Sequence, residues 1–111
     1  MPAIAFYRKT PEEIINRIVN TTSQINNMTV YNDFKICDNF DTMNLTRTIK
    51  IPSLVIVGKS DKLTPLKYSK FFSEKIKNSE LVVIDDAGHM VMVEKPKEFN
   101  IAIEIYLKNR L

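Results

Sequence analysis

The chain has 111 residues, 44% apolar and 26% charged, with a formal net charge of +3. A chain of that length forms one small domain with a modest core, since proteins near this size bury only about two thirds of their unfolded surface. No apolar run approaches the roughly 18 residues of a membrane span, and the lysines are scattered without the basic block of a nucleic-acid surface, so membrane and nucleic acid are both excluded as expected partners.

Residues 10–48 read as helices. Thr10-Pro11-Glu12-Glu13 offers an N-cap Thr, a Pro at the first helical position and a Glu three residues after the cap. Ile14, Ile15, Ile18, Val19 and Ile25 follow at helical spacing. Val30, Phe34 and Cys37 continue the 3.6 period, which predicts a second short helix through about Phe40 and makes Cys37 a small buried hydrophobe on its apolar face. Met43 to Lys50 reads as a connector.

From Ile51 the pattern changes. Leu54-Val55-Ile56-Val57 is a continuous apolar run between Pro52 and Gly58, as expected of a parallel strand covered on both faces. Thr64-Pro65 opens a helix with Tyr68, Phe71, Phe72 and Ile76 on one face, and Leu81-Val82-Val83-Ile84 is a second buried strand, completing one βαβ unit. Met90 to Val93 alternates Met with Val and reads as loop packing. Pro96 opens a closing helix to about Lys108. Two segments result, a helical one over 1–48 and a βαβα one over 49–111.

The loops that end the two strands hold the chemistry. Gly58-Lys59-Ser60-Asp61 follows the first, and Asp85-Asp86-Ala87-Gly88-His89 follows the second, so Asp61 and His89 share the carboxyl edge of the sheet, where open α/β folds bind ligands. Neighbouring parallel strands lie about 4.8 Å apart, so an Asp and a His on adjacent loops can meet. A carboxylate accepting the Nδ1 proton of an imidazole fixes its tautomer and leaves Nε2 as a general base. Other candidates are weaker. Cys37 lies on an apolar helix face, no glycine turn presents Ser60, and Asp85 and Asp86 with the only histidine make no metal set, so neither a metal nor any other cofactor is expected. With one cysteine there is no internal disulfide, and the N-terminus lacks the regions of a signal peptide, which points to the cytoplasm.

The stretches IPSLVIVGKSDKLTP and ELVVIDDAGHMVMVEKP resemble the C-terminal part of the α/β-hydrolase superfamily, in which one strand ends in G-x-x-D-x-x-x-P and the next in A-G-H-x-x-x-x-E-x-P. The resemblance covers residues 51–111 well, and residues 10–48 more weakly resemble the last cap helices of esterases and C–C bond hydrolases. It implies a partial α/β-hydrolase fold, one βαβ unit plus a closing helix preceded by cap-like helices. It further implies Asp61 as the triad acid, His89 as the triad base, Glu94 as a support for the histidine loop, and Pro96 as the start of the closing helix. The family's nucleophile sits in G-x-S-x-G. The chain's two glycines, Gly58 and Gly88, do not flank a serine in that way, so no such elbow exists in these residues. The expectation is the back third of a hydrolase, of carboxylic-ester lineage, inactive alone and with its substrate unspecified by sequence.

Two strands cannot bury both faces of the first one, and the missing neighbour leaves an apolar edge. The apolar positions of the closing helix, Phe99 to Leu107, span roughly 240°, where a helix packed on one side needs little more than a 100° stripe. Both features predict self-association as a two-fold dimer through sheet edges or helices. The alternatives are a split enzyme completed by a separately encoded N-terminal hydrolase half, and a non-catalytic homo-oligomerisation module.

Overall fold

Two parallel strands form the centre of the molecule. The computed structural model describes residues 2–39, 41 and 43–110. Strand β1 (Ser53–Gly58) pairs with β2 (Ser79–Ile84) in a register that sets Val55 beside Leu81 and Ile56 beside Val82. Because side chains alternate across a strand, Ile56, Val82 and Ile84 share one face. There they join Ala87, Val91 and Phe99 in the core cluster.

Ahead of the sheet, the described residues form the α-helices α1 (Pro2–Ala5), α2 (Glu12–Thr22) and α3 (Asn27–Asn39). Helix α4 (Leu66–Lys75) crosses between the strands and packs on both. A helical turn, α5 (Val91–Glu94), leads into α6 (Pro96–Lys108), which covers the other face of the sheet with Pro96 at its start. Pro fits there because its missing N–H has no helical partner to lose. Among the described residues, this is the partial α/β-hydrolase arrangement that the motifs imply.

Several local features differ from the sequence reading, each for an identifiable reason. Pro11, not Thr10, caps α2, with its carbonyl accepting from Ile14 N at 3.0 Å and Ile15 N at 3.3 Å. The Thr10 hydroxyl is engaged elsewhere, by Glu94 at 2.7 Å. Helix α3 opens instead on Asn26, whose Oδ1 accepts from Met28 N at 2.8 Å, the usual way a short polar side chain satisfies a free helical donor. Its expected end, Phe40, lies outside the described residues.

The segment read as a connector contains a 3-10 helix, Met43–Thr48. The Thr46 and Thr48 hydroxyls each donate to the carbonyl three residues back, Met43 and Leu45, matching the 3-10 repeat. The Met-Val stretch closes into α5 rather than remaining a loop. Its turn is held by Val93 N and Glu94 N donating to Met90 O, both at 2.9 Å.

Burial departs furthest from expectation. Of β1, only Val57 and Gly58 are buried, and the rest is half-buried, because among the described residues no third strand lies beside it. Neither α2 nor α3 buries a residue, and Cys37 is exposed. Its face does gather Ile25, Val30 and Phe34, but around an open cleft, and none of these residues is buried.

Candidate active site

Each strand of the sheet delivers one polar side chain to the same point. After β1 the chain turns tightly, with Lys59 N donating to Ile84 O and Ser60 N to Ala87 O, both at 2.9 Å, so the two loops are tied together by main-chain bonds. Asp61 then folds back on its own loop. Its Oδ1 accepts from Leu63 N at 3.0 Å and Thr64 N at 2.9 Å, the short-range pattern by which Asp organises turns. Its Oδ2 accepts from the Thr64 hydroxyl at 3.0 Å and lies 3.1 Å from Nδ1 of His89. The Asp61 side chain is 5% exposed and that of His89 38%, so the carboxylate is buried and the ring opens to solvent.

The only histidine follows a glycine because the loops approach too closely for a side chain. A Cβ on Gly58 would lie 2.2 Å from Gly88 O and 2.5 Å from Ala87 O. One on Gly88 would lie 2.7 Å from Tyr7 N and 2.8 Å from the Phe6 carbonyl carbon. Asp86, in the turn before Ala87, adopts a φ of 56°, a conformation that Asp tolerates better than most residues.

From the other side, the N-terminal segment and Glu94 hold the histidine loop. His89 N and Met90 N both donate to Ala5 O, at 2.9 and 3.2 Å. Glu94 is buried, yet all its partners are donors. Oε1 accepts from Tyr7 N and the Thr10 hydroxyl, each at 2.7 Å, and Oε2 accepts from Gly88 N at 3.0 Å. One carboxylate thereby joins the start of the chain to the residue before His89, giving the support implied for Glu94 a definite geometry.

The remaining candidates stand apart from this pair. Asp85 is exposed and sits 3.7 Å from Lys59 Nζ, and Asp86 is also exposed. Among the described residues no group of three or more His, Cys, Asp or Glu side chains is placed to hold a metal ion, and no helix is long and apolar enough to cross a membrane. Beside Asp61 and His89 lies a cleft of about 290 Å³ whose walls include Met90, Met92 and Phe99. Sequence reasoning missed Thr64, which bonds Asp61 and lies 3.2 Å from His89 Nδ1. Its position three residues after Asp61, just before Pro65, was the available signal.

Two parallel strands whose following loops bring together an Asp and a His in this order match a known class. The chain belongs to the alpha/beta hydrolase fold family, whose model matches residues 5–96. It is similar to a thermophilic esterase of known structure, at 46% identity and a TM-score of 0.79 over 98% of this chain and 44% of the esterase. It is also 42% identical over 60 residues to 3-oxoadipate enol-lactonase 2 of Acinetobacter baylyi, a match covering 54% of this chain and 22% of the lactonase. Monoacylglycerol lipase ABHD6 of Mus musculus is 26% identical over 98 residues, covering 88% of this chain and 24% of the lipase. The chain spans only 20% to 24% of the length of the first curated relatives it matches.

Proposed function

We propose that this chain is the acid–base portion of a carboxylic-ester hydrolase. The observation behind this reading is the 3.1 Å approach of His89 Nδ1 to Asp61 Oδ2, which leaves Nε2 without a partner among the described residues. A carboxylate at Nδ1 holds the ring with Nε2 bare and stabilises the imidazolium that forms when Nε2 takes a proton. In a complete site, Nε2 of His89 removes the proton of an attacking hydroxyl and returns it to the leaving alcohol. The attacking group and the oxyanion donors come from polypeptide outside these 111 residues, because the sequence has no G-x-S-x-G. Residues 1–48 serve as a cap-like segment and residues 49–111 as core, with Met90 and Met92 lining the acyl side of the cleft.

The open edge of β1 favours a companion reading in which the chain works in association. Ser53 N donates to Asn78 O, just ahead of β2, and Lys59 N to Ile84 O at its end, and this alternation directs the main-chain groups of Leu54 and Ile56 away from β2. A cleft of about 690 Å³ lies between β1 and α4, lined by Leu54, Val55, Ile56, Phe72 and Ile76, and a second of about 590 Å³ lies between β2 and α6. The occupant is a separately encoded N-terminal hydrolase half or a second copy of the chain in a two-fold dimer.

The test is hydrolysis of a short-chain aryl ester by the purified chain. No turnover is expected from the chain alone. Turnover that survives His89→Ala excludes His89 as the base of that reaction, and turnover lost in both His89→Ala and Asp61→Asn excludes an inert oligomerisation module.

A further inference from the structure

Among the described residues, two side chains touch Nδ1 of His89, and one of them is Thr64. The three polar atoms form a nearly equilateral triangle: Thr64 Oγ1 to Asp61 Oδ2 is 3.0 Å, Asp61 Oδ2 to His89 Nδ1 is 3.1 Å, and Thr64 Oγ1 to His89 Nδ1 is 3.2 Å. A hydroxyl has one proton and two lone pairs, and a carboxylate offers only lone pairs. The Thr64 proton therefore goes to Asp61 Oδ2, and the remaining Thr64 lone pairs face Nδ1. A proton on Nδ1 then meets two acceptors at once. The opposite tautomer, with Nδ1 bare and accepting from Thr64, would set two lone-pair atoms, Nδ1 and Oδ2, 3.1 Å apart with no proton between them.

Thr64 also grips the other carboxylate oxygen, through its main-chain N–H at 2.9 Å from Asp61 Oδ1. Side chain and main chain of one residue thus fix both oxygens, and removing the hydroxyl alone leaves the main-chain bond in place. Because Thr64 is exposed, loss of its hydroxyl is expected to leave the fold standing. We propose that Thr64 is a positioning residue for His89, its hydroxyl acting as a second acceptor that holds the Nδ1–H tautomer and keeps Nε2 bare. Its catalytic meaning rests on the acid–base reading of the same site.

The test is long-range ¹H–¹⁵N NMR of the His89 ring in the full chain, with Thr64→Ser, Thr64→Val and Asp61→Asn as variants and circular dichroism as the check on folding. Thr64→Ser is expected to keep the native tautomer and exchange rate. Thr64→Val is expected to keep Nδ1 protonated, because Asp61 Oδ2 still accepts from it, and to speed exchange of the Nδ1 proton about fivefold, the change carried by a hydrogen bond of ordinary net strength. Thr64→Ala reports the same quantity should the valine variant misfold. A ring unchanged in both Thr64→Val and Thr64→Ala overturns the proposal. If Asp61→Asn alters that ring while the Thr64 variants do not, the Asp–His pair stands and the Thr64 role falls, whereas no response to Asp61→Asn removes the pair itself.

Discussion

Gly58 and Gly88 meet main chain to main chain, so closely that a Cβ on Gly58 would sit 2.2 Å from the Gly88 carbonyl oxygen. This contact sets the distance between the Asp61 and His89 loops. Backbone cannot give way as the end of a flexible side chain can, so Gly58→Ala must separate the two loops. We expect a loss of about 3 kcal/mol, the upper end of overpacking costs, in urea denaturation. A stability within error of the wild type would contradict the close approach.

Glu94 accepts three bonds from groups far away in sequence, Tyr7 N, the Thr10 hydroxyl and Gly88 N. Replacing it with Ala strands these donors in a buried site, where each unsatisfied group costs about 1–3 kcal/mol. Glu94→Ala is expected to lower stability by about 3 kcal/mol and to speed amide exchange at Tyr7 and Gly88 together. Glu94→Gln keeps one acceptor oxygen and should fall between. Exchange that rises at Gly88 but not at Tyr7 would show that the carboxylate does not join the two segments.

How much of this was legible in the sequence depended on the range of the interaction. The strands and α6 follow from continuous apolar runs and from Pro96, and the Asp61–His89 approach follows from the adjacency of two parallel strands. The Glu94 network was hidden because its partners Thr10 and Tyr7 lie 84 and 87 residues away. Thr10 has the chemistry of a cap, and only the fold reveals a stronger acceptor nearby. Cys37 illustrates the opposite limit. Helical periodicity identifies an apolar face, but nothing in a period says whether another element packs on it.

The exposure of Cys37 has a direct consequence. A maleimide should label it to completion in the native protein, at a rate close to that of the urea-unfolded chain. Labelling slowed strongly by folding would mean that the α3 face is covered in solution, and the comparison of the two rates decides it.

Helix α6 leaves Ile101 53% and Ile105 55% exposed, more apolar surface than its packing on the sheet uses. Sedimentation of the wild type is expected to show self-association, and the Ile101→Lys/Ile105→Lys pair to shift the chain toward monomer while preserving its circular dichroism. Identical sedimentation of the two proteins would exclude this face as the contact.

The most direct measurement of the acid–base reading is ester hydrolysis by a chimera in which this chain replaces the matching 44% of the thermophilic esterase it resembles. The account predicts turnover that falls about 10⁴-fold with Asp61→Asn, as when an imidazole loses its orienting carboxylate, and at least as far with His89→Ala. A chimera that hydrolyses ester equally well with and without His89 would contradict it.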